Sequence, residues 1–480
     1  MEQDARYDAL LSRDRRFDGT FFVGVRTTMI YCRPVCRARR PQPRNCSFFR
    51  TAAEAERGGY RPCLKCRPER APGRSLTDAS DRLAQAAFAR ISDGALNGGS
   101  LGDVARELCV GERHLRRVMS AEFGASPVEL AQTQRLLLAK QLLTETTLPI
   151  SRIAYASGFS SLSRFNALFR ERYRLSPTRM RRNSRTALDA RGSLRLLFEY
   201  RPPYDWEWML RFLAMRAIPG IEAVHDGSYT RSFRQGTHTG WFTVRAAPRH
   251  DSALEVEISD SLVPALLGVR SAVRRMLDLD ADPAALEAHF ASDEIMGPLV
   301  RERPGLRLPG STDGFELAVR GVLGQQISVS AARTLAGRLH AAYGKPLERA
   351  HGVDRLPAAP ERLAEAEPGD IAALGMPLSR ARTVVLLAQS VARGDISFTA
   401  TPDINAALIA LQRVPGIGPW TAEYIAMRGY QWPDAFPATD LGIRNALRGR
   451  NAAVVAEAWR PWRAYAAIYL WDSLSTNPKG

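Results

Sequence analysis

Four cysteines offer the clearest chemistry in this chain: Cys32 and Cys36 in the run Cys-Arg-Pro-Val-Cys, and Cys63 and Cys66 in Cys-Leu-Lys-Cys, with 26 residues between the pairs. Two close pairs on two chain reversals match the needs of tetrahedral zinc, whose bonds to sulfur of about 2.3 Å bring all four side chains together. Zinc keeps cysteine deprotonated at neutral pH, and the thiolate is the nucleophilic form. Such a set is either an inert knot or, where one sulfur is unshielded by N–H donors, a nucleophile toward electrophilic carbon. Spacing alone leaves the plain zinc ribbon open. Arg33, Arg37, Arg39, Arg40, Arg61, Lys65 and Arg67 surround the cysteines. Four thiolates on Zn²⁺ carry a net −2, so a purely structural site gains little from so many cations, whereas a site that meets a phosphate backbone needs them.

A second pattern lies near the other end. Residues 411–422 read Leu-Gln-Arg-Val-Pro-Gly-Ile-Gly-Pro-Trp-Thr-Ala, a helix, a glycine hairpin and a second helix. Gly416 and Gly418 let backbone N–H groups point outward at a helix start, which suits a phosphate; a simple turn is the alternative. Twenty residues past Trp420 stands Asp440, a lone acid in the apolar segment Phe-Pro-Ala-Thr-Asp-Leu. A helix-capping aspartate would read the same way.

The elements that position these residues follow from length, charge and periodicity. A chain of 480 residues with 45% hydrophobic content holds several ordinary cores. The net charge of +17 is uneven: residues 1–190 carry 34 Lys and Arg against 19 Asp and Glu, and residues 191–480 carry 33 against 31. That asymmetry points to a polyanion partner for the front of the chain. All six cysteines precede residue 110, so no secreted disulfide framework is indicated. Cys46 and Cys109 have no partner at metal spacing and read as small buried residues. Residues 1–11 are too polar for a signal peptide and no apolar run spans a membrane, which indicates the cytoplasm.

Four domains are expected: 1–72, 78–182, 194–305 and 306–480, with linkers at 71–75 and 183–193. The first is a small zinc module built on the four cysteines. The second is all-α and contains a repeat, Phe-Gly-Ala-Ser-Pro at 123–127 returning as Tyr-Arg-Leu-Ser-Pro at 173–177. Before each copy a short helix, a break and an Arg-rich helix are predicted, at 104–108 and 112–122, then 153–157 and 160–172, joined by a helix over 128–143. Helix, tight turn, helix is the geometry that sets a second helix in the major groove; a solvent-facing helical spacer is the bland reading. Residues 194–305 mix strand alternation at 194–200 with helices near 206–217 and 261–277, an α+β module with no legible chemistry. Residues 306–480 read as almost wholly helical.

Three resemblances add to this. Residues 22–39 and Gly-Tyr-Arg-Pro-Cys-Leu-Lys-Cys at 59–66 closely resemble the amino-terminal domain of the Ada adaptive-response family. The resemblance implies that Cys32 accepts a methyl group from a DNA methylphosphotriester, that Cys36, Cys63 and Cys66 hold one Zn²⁺ beside it, and that Thr28, Arg39 and Arg61 grip the DNA backbone. The duplicated unit is similar to the AraC-type DNA-binding domain. That likeness puts Arg113, His114, Arg116 and Arg117 on one recognition helix and Ser161, Ser163, Arg164 and Asn166 on the other. From residue 194 onward the chain resembles the helix-hairpin-helix DNA glycosylases, and the 3-methyladenine glycosylase of AlkA type in particular, through Pro-Pro-Tyr-Asp-Trp at 202–206, Leu-Gly-Gln-Gln at 323–326 and Trp-Arg-Pro-Trp-Arg at 459–463.

The glycosylase likeness implies a mechanism. Alkylation at N3 or N7 makes a purine a cationic leaving group, so one carboxylate, Asp440, suffices to steady the oxocarbenium-like sugar and orient water. Trp420, Tyr424 and Trp471 would line the pocket for the extruded base; an ordinary core tryptophan is the alternative for Trp471. Backbone-cleaving relatives use a lysine where Trp420 stands, so hydrolysis without strand cleavage is expected. No cysteine follows Cys109, so no iron–sulfur cluster is expected. An apolar wedge is expected near residue 325, yet Gln325 and Gln326 are polar. No Pro-Cys-His-Arg segment of the kind that repairs O6-methylguanine is present. The expected protein is an alkylation-repair enzyme fused to a damage-dependent regulator, with alkylated and promoter DNA as partners, RNA polymerase as a further one, no membrane, and a nucleoid-associated location. A purely regulatory protein with a non-catalytic glycosylase-like module is the competing reading.

Overall fold

The computed structural model describes residues 3–75, 82–181 and 192–476; most of the linker expected at 183–193 lies outside them. The first segment is a four-stranded sheet in the order Cys46–Phe49, Phe22–Val25, Ile30–Cys32, Arg61–Pro62. The first three strands are antiparallel and the last runs parallel to its neighbour, pairing Ile30 with Arg61 and Tyr31 with Pro62. This parallel pairing brings the residues after both strands to one edge, which is how two distant cysteine pairs meet.

The helical segment keeps the repeat. Its two recognition helices are Glu112–Phe123 and Leu162–Tyr173, and the long helix between the units is Pro127–Glu145. The Ser-Pro of each copy begins a helix: Ser126 accepts from the Glu129 N–H, and Ser176 from the Arg179 N–H. The positions before them both take left-handed backbone, at Gly124 (φ 68°) and Arg174 (φ 52°). At the first, a Cβ would lie 2.4 Å from the Glu54 side chain of the zinc module, so glycine lets the two modules approach closely.

The next segment is a five-stranded antiparallel sheet, Ser193–Glu199, Ala253–Ser259, His238–Ala246, Ser228–Gln235, Glu222–His225. The helix Trp206–Arg216 follows its first strand, and Leu266–Met276 follows its last. Beyond residue 306 the chain is helical apart from one small hairpin, Pro346–Ala350 with Val353–Arg355. The protein is thus a multidomain α+β fold.

Buried apolar contacts cross the boundaries read from sequence. One core runs from Leu136 and Phe165 through the five-stranded sheet to Trp459 and Leu470. A second joins Ile218 and Ile221 to the helices between Phe315 and Ile425. The zinc module is tied in by polar contacts. Arg201, fully buried, donates to the Asp18 carbonyl at 2.9 Å and to the Asp280 carbonyl at 2.7 Å. Among the described residues no helix is long and apolar enough to cross a membrane.

Candidate active sites

The sulfur atoms of Cys32, Cys36, Cys63 and Cys66 all lie within 4.8 Å of one another, a spacing and donor set that fit tetrahedral zinc. Three of them receive backbone N–H groups: Cys66 from Arg33 at 3.4 Å, Cys63 from Lys65 at 3.4 Å, and Cys36 from Ala38. Among the described hydrogen bonds no backbone N–H reaches Cys32. Since each N–H donor draws charge from a thiolate, Cys32 carries the least quenched sulfur of the four. Contacts with Cys36 and Cys63 push the Cys32 thiol up, while contact with Cys32 brings Cys36 down to about 7. Four thiolates this close repel one another, so a divalent cation is needed for all of them to ionise together.

Around the cluster Thr28, Arg37, Arg39, Arg40 and Lys65 are exposed and Arg61 is half-buried. Two of the expected phosphate-facing cations are spent inside. Arg33 is buried and pairs with Asp18 and, at 2.6 Å, with Glu199 of the five-stranded sheet. Arg67 pairs with Glu69 at 2.8 Å and Glu145 at 2.9 Å. Part of the positive excess at the front of the chain therefore neutralises acids across module interfaces. Cys46 is buried as expected, but Cys109 is exposed at the turn between two helices, with φ 56°.

On the recognition helices Arg113, His114, Arg116, Arg117, Ser163 and Arg164 are exposed, and Asn166 is half-buried. Arg116 is paired with Glu112 at 2.5 Å. Ser161 precedes the second of these helices and its hydroxyl caps it, accepting from the Arg164 N–H at 3.4 Å.

At the glycine hairpin Gly416 takes φ 94°, and a Cβ there would fall 2.0 Å from Thr383 Oγ1. Gly418 is exposed, starts the helix Pro419–Arg428, and has nothing within 4 Å of an added Cβ. Gln325 is no wedge. Its side-chain amide donates to the Gly416 carbonyl at 2.8 Å and to Thr421 Oγ1 at 2.9 Å, bracing the hairpin. The neighbouring Gln326 is exposed with φ 57°.

Asp440 does cap a helix, accepting from the Ile443 N–H at 3.0 Å, but this is one of three bonds. Trp471 Nε1 donates to its Oδ1 at 2.9 Å and Trp420 Nε1 to its Oδ2 at 2.9 Å. Two indoles on separate helices thus aim one carboxylate. Trp420 and Tyr424 stack with ring centroids 5.4 Å apart and planes 8° apart. The aromatic cluster continues onto the helix Trp206–Arg216, which the sequence left without chemistry. Trp208 stacks on Phe212 at 5.4 Å, and the Arg216 guanidinium lies 3.8 Å from the Phe212 centroid. Arg428 joins the two aromatic pairs, 4.9 Å from the Phe212 ring and bonded at 2.6 Å to the Tyr424 oxygen. Aromatic residues at helical spacing in 206–216 were the available signal, and an ordinary buried face gives the same pattern.

The metal binding domain of Ada matches residues 5–69, a helix-turn-helix domain 104–183, and the AlkA N-terminal domain 193–313. A probable bifunctional transcriptional activator/DNA repair enzyme AlkA of Mycobacterium tuberculosis is 40% identical over 483 residues, 98% of this chain and 96% of its own length. The chain belongs to that bifunctional family. DNA-3-methyladenine glycosylase 2 of Escherichia coli is 40% identical over 285 residues, 58% of this chain and 97% of its own. The 3-methyladenine DNA glycosylase of Archaeoglobus fulgidus, 22% identical, shares the fold with a TM-score of 0.50 over 58% of this chain and 98% of that one. Members of the bifunctional family join DNA repair to transcriptional activation, and here the four cysteines form one zinc site.

Proposed function

We propose that the chain repairs alkylated DNA at two centres and reports the damage to promoters. Residues 194–305 and 306–480 form a glycosylase that hydrolyses the glycosidic bond of alkylated bases such as 3-methyladenine. The observation that carries this reading is Asp440, held by two indole N–H groups and a helix start beside an aromatic cluster. As the C1′–N bond breaks, its electron pair neutralises the cationic base; the carboxylate steadies the sugar and takes a proton from the water that adds to C1′. Trp420 in place of lysine supports hydrolysis without strand cleavage. Gly416 and Gly418 would present N–H groups to a phosphate of the same duplex.

In residues 1–72 the unshielded Cys32 sulfur attacks the methyl carbon of a phosphotriester. The carbon–oxygen bond breaks and its electron pair returns to the phosphate, restoring the diester charge. Zinc, when bound, holds all four sulfurs as thiolates at neutral pH. Methylation takes the cluster from −2 to −1, which lowers repulsion against DNA and favours promoter binding by residues 78–182 through Arg113, Arg116, Arg117 and Arg164. RNA polymerase at such promoters, in the cytoplasm, completes the regulatory reading. Exposed Thr28 and Arg39, with Arg61, are the contacts expected to seat the damaged backbone.

Incubation of the protein with methylated duplex, scoring free 3-methyladenine and protein mass in one tube, tests both centres. Asp440→Asn is expected to abolish base release and spare the methyl adduct, and Cys32→Ala to do the reverse. Adduct formation without base release by the unaltered protein would leave a regulator with an inactive glycosylase module.

A further inference from the structure

A zinc ion suffices to gather the four sulfurs, but it does not choose which of them reacts. Cys32, Cys36 and Cys63 are buried and Cys66 is half-buried, so exposure alone would favour Cys66. What restrains Cys66 is the residue next to Cys32. The Arg33 N–H donates to Cys66 Sγ at 3.4 Å, and Arg33 Nη1 donates to the Cys66 carbonyl at 3.1 Å. Backbone and side chain of one arginine thus hold the cysteine that competes with its neighbour. The guanidinium, in turn, is fixed partly from outside the zinc module. Arg33 Nε donates to Asp18 Oδ1 at 2.8 Å, and Nη2 is shared between Asp18 Oδ2 and Glu199 Oε2, the latter at 2.6 Å. Glu199 ends the first strand of the five-stranded sheet. Two residues on, Arg201 donates to the Asp18 carbonyl at 2.9 Å. One short stretch of the glycosylase half therefore grips both members of the Arg33–Asp18 pair. The Arg33 side chain is only 5% exposed, so an Nη2 hydrogen that lost Glu199 would be left buried and unpaired, which favours a shift of the guanidinium.

We infer that Glu199 is a positioning residue for methyl transfer: through Arg33 it keeps Cys66 quenched and leaves Cys32 as the single acceptor. This rests on the methyl-acceptor reading of residues 1–72 and adds to it a part supplied by the glycosylase half. The chemistry at sulfur is unchanged. A thiolate displaces the phosphate oxygen from the methyl carbon, and the sulfur holding most charge reacts fastest. An N–H donor stabilises a thiolate more than the neutral thioether it becomes, so it raises the barrier at the sulfur it touches. With Arg33 seated, that penalty falls on Cys66. With Arg33 displaced, Cys66 loses both its donor and its carbonyl tie, and two sulfurs compete. The seat also reaches the regulator. Arg70 lies 3.8 Å from the other Glu199 oxygen and pairs at 2.8 Å with Glu145, at the end of the long helix Pro127–Glu145. The choice of acceptor is thus set where all three parts of the chain meet.

The test uses the full zinc-loaded chain and a duplex carrying methylphosphotriesters, with the adduct located by peptide mass mapping and zinc content measured on the same samples. The unaltered protein is expected to carry methyl on Cys32 alone. Glu199→Ala should slow single-turnover uptake at Cys32 about tenfold, as for the loss of one charge-assisted hydrogen bond, and place roughly a tenth or more of the methyl on Cys66, with zinc retained. Glu199→Gln keeps an acceptor oxygen and should lie between the parent and Glu199→Ala in both rate and site. A merely structural role would lower uptake together with zinc content and give no second adduct. No Cys66 adduct in Glu199→Ala, identical behaviour of the two variants, or an uptake that falls only as zinc is lost would overturn the assignment. Absence of methyl uptake by the unaltered zinc-loaded protein would instead overturn the acceptor reading beneath it.

Discussion

The two reactive centres are built on opposite plans. The sulfur cluster takes all its parts from residues 32–66, on two turns that follow neighbouring parallel strands. The carboxylate site takes its parts from residues 206 to 471, on three helices and one helix start. The first is held by bonds to one ion and needs little else; the second is held by packing across two apolar cores. Chemistry anchored on a ligand can be local, whereas chemistry anchored on an aimed carboxylate needs a scaffold to carry each donor.

Metal removal should give the largest effect and sharpens the contrast most. Chelation is expected to abolish methyl uptake and expose the strands between Phe22 and Pro62 to hydrogen exchange, since structural zinc in small modules is worth on the order of 10 kcal/mol. Base release should persist. If it vanished in step, the two centres would form one folding unit, and the ties from Arg33 to Glu199 and from Arg201 to Asp18 would be the reason.

A smaller effect lies at the junction between the zinc module and the regulator. Glu56 is buried, takes hydrogen bonds from Tyr31 at 3.1 Å and Thr133 at 2.8 Å, and is pushed up to about 7 by desolvation. Between roughly pH 4.5 and 7 the folded protein keeps a proton there that the unfolded chain has lost, so stability falls as pH rises through that window. Glu56→Gln should remove this fall and be more stable than the parent at pH 8 by about 2–3 kcal/mol, read from thermal midpoints at pH 5.5 and 8. A parallel pH profile in both proteins would refute it.

Trp471→Phe probes the distributed site alone. It keeps the ring and removes one N–H from Asp440, a loss of about 1–2 kcal/mol, or roughly tenfold in base release, with methyl uptake unaltered. Smallest of all, Arg113→Ala should reduce the salt dependence of promoter binding by about one unit of slope and leave both chemistries intact. A change in either reaction would mean that the recognition helix is coupled to a centre it does not touch.

The sequence alone determined the zinc ligands, the duplicated helix-turn-helix and the hairpin with its aspartate, because each is written in residues close together or in a repeat. Ser126 and Ser176 cap their helices for local reasons, and Gly416 must be glycine for its own backbone. Tertiary structure decided the rest. No spacing rule ties Phe212 and Arg216 to Tyr424, and an aromatic helix face reads the same whether it lines a slot or fills a core. Nor could spacing tell that Arg33 and Arg67 face carboxylates rather than phosphate, since a charge declares its partner only when the fold brings one within reach. Asp440 combines both lessons: its helix cap follows from neighbouring residues, while the two indoles that aim it meet only after the last helix has packed.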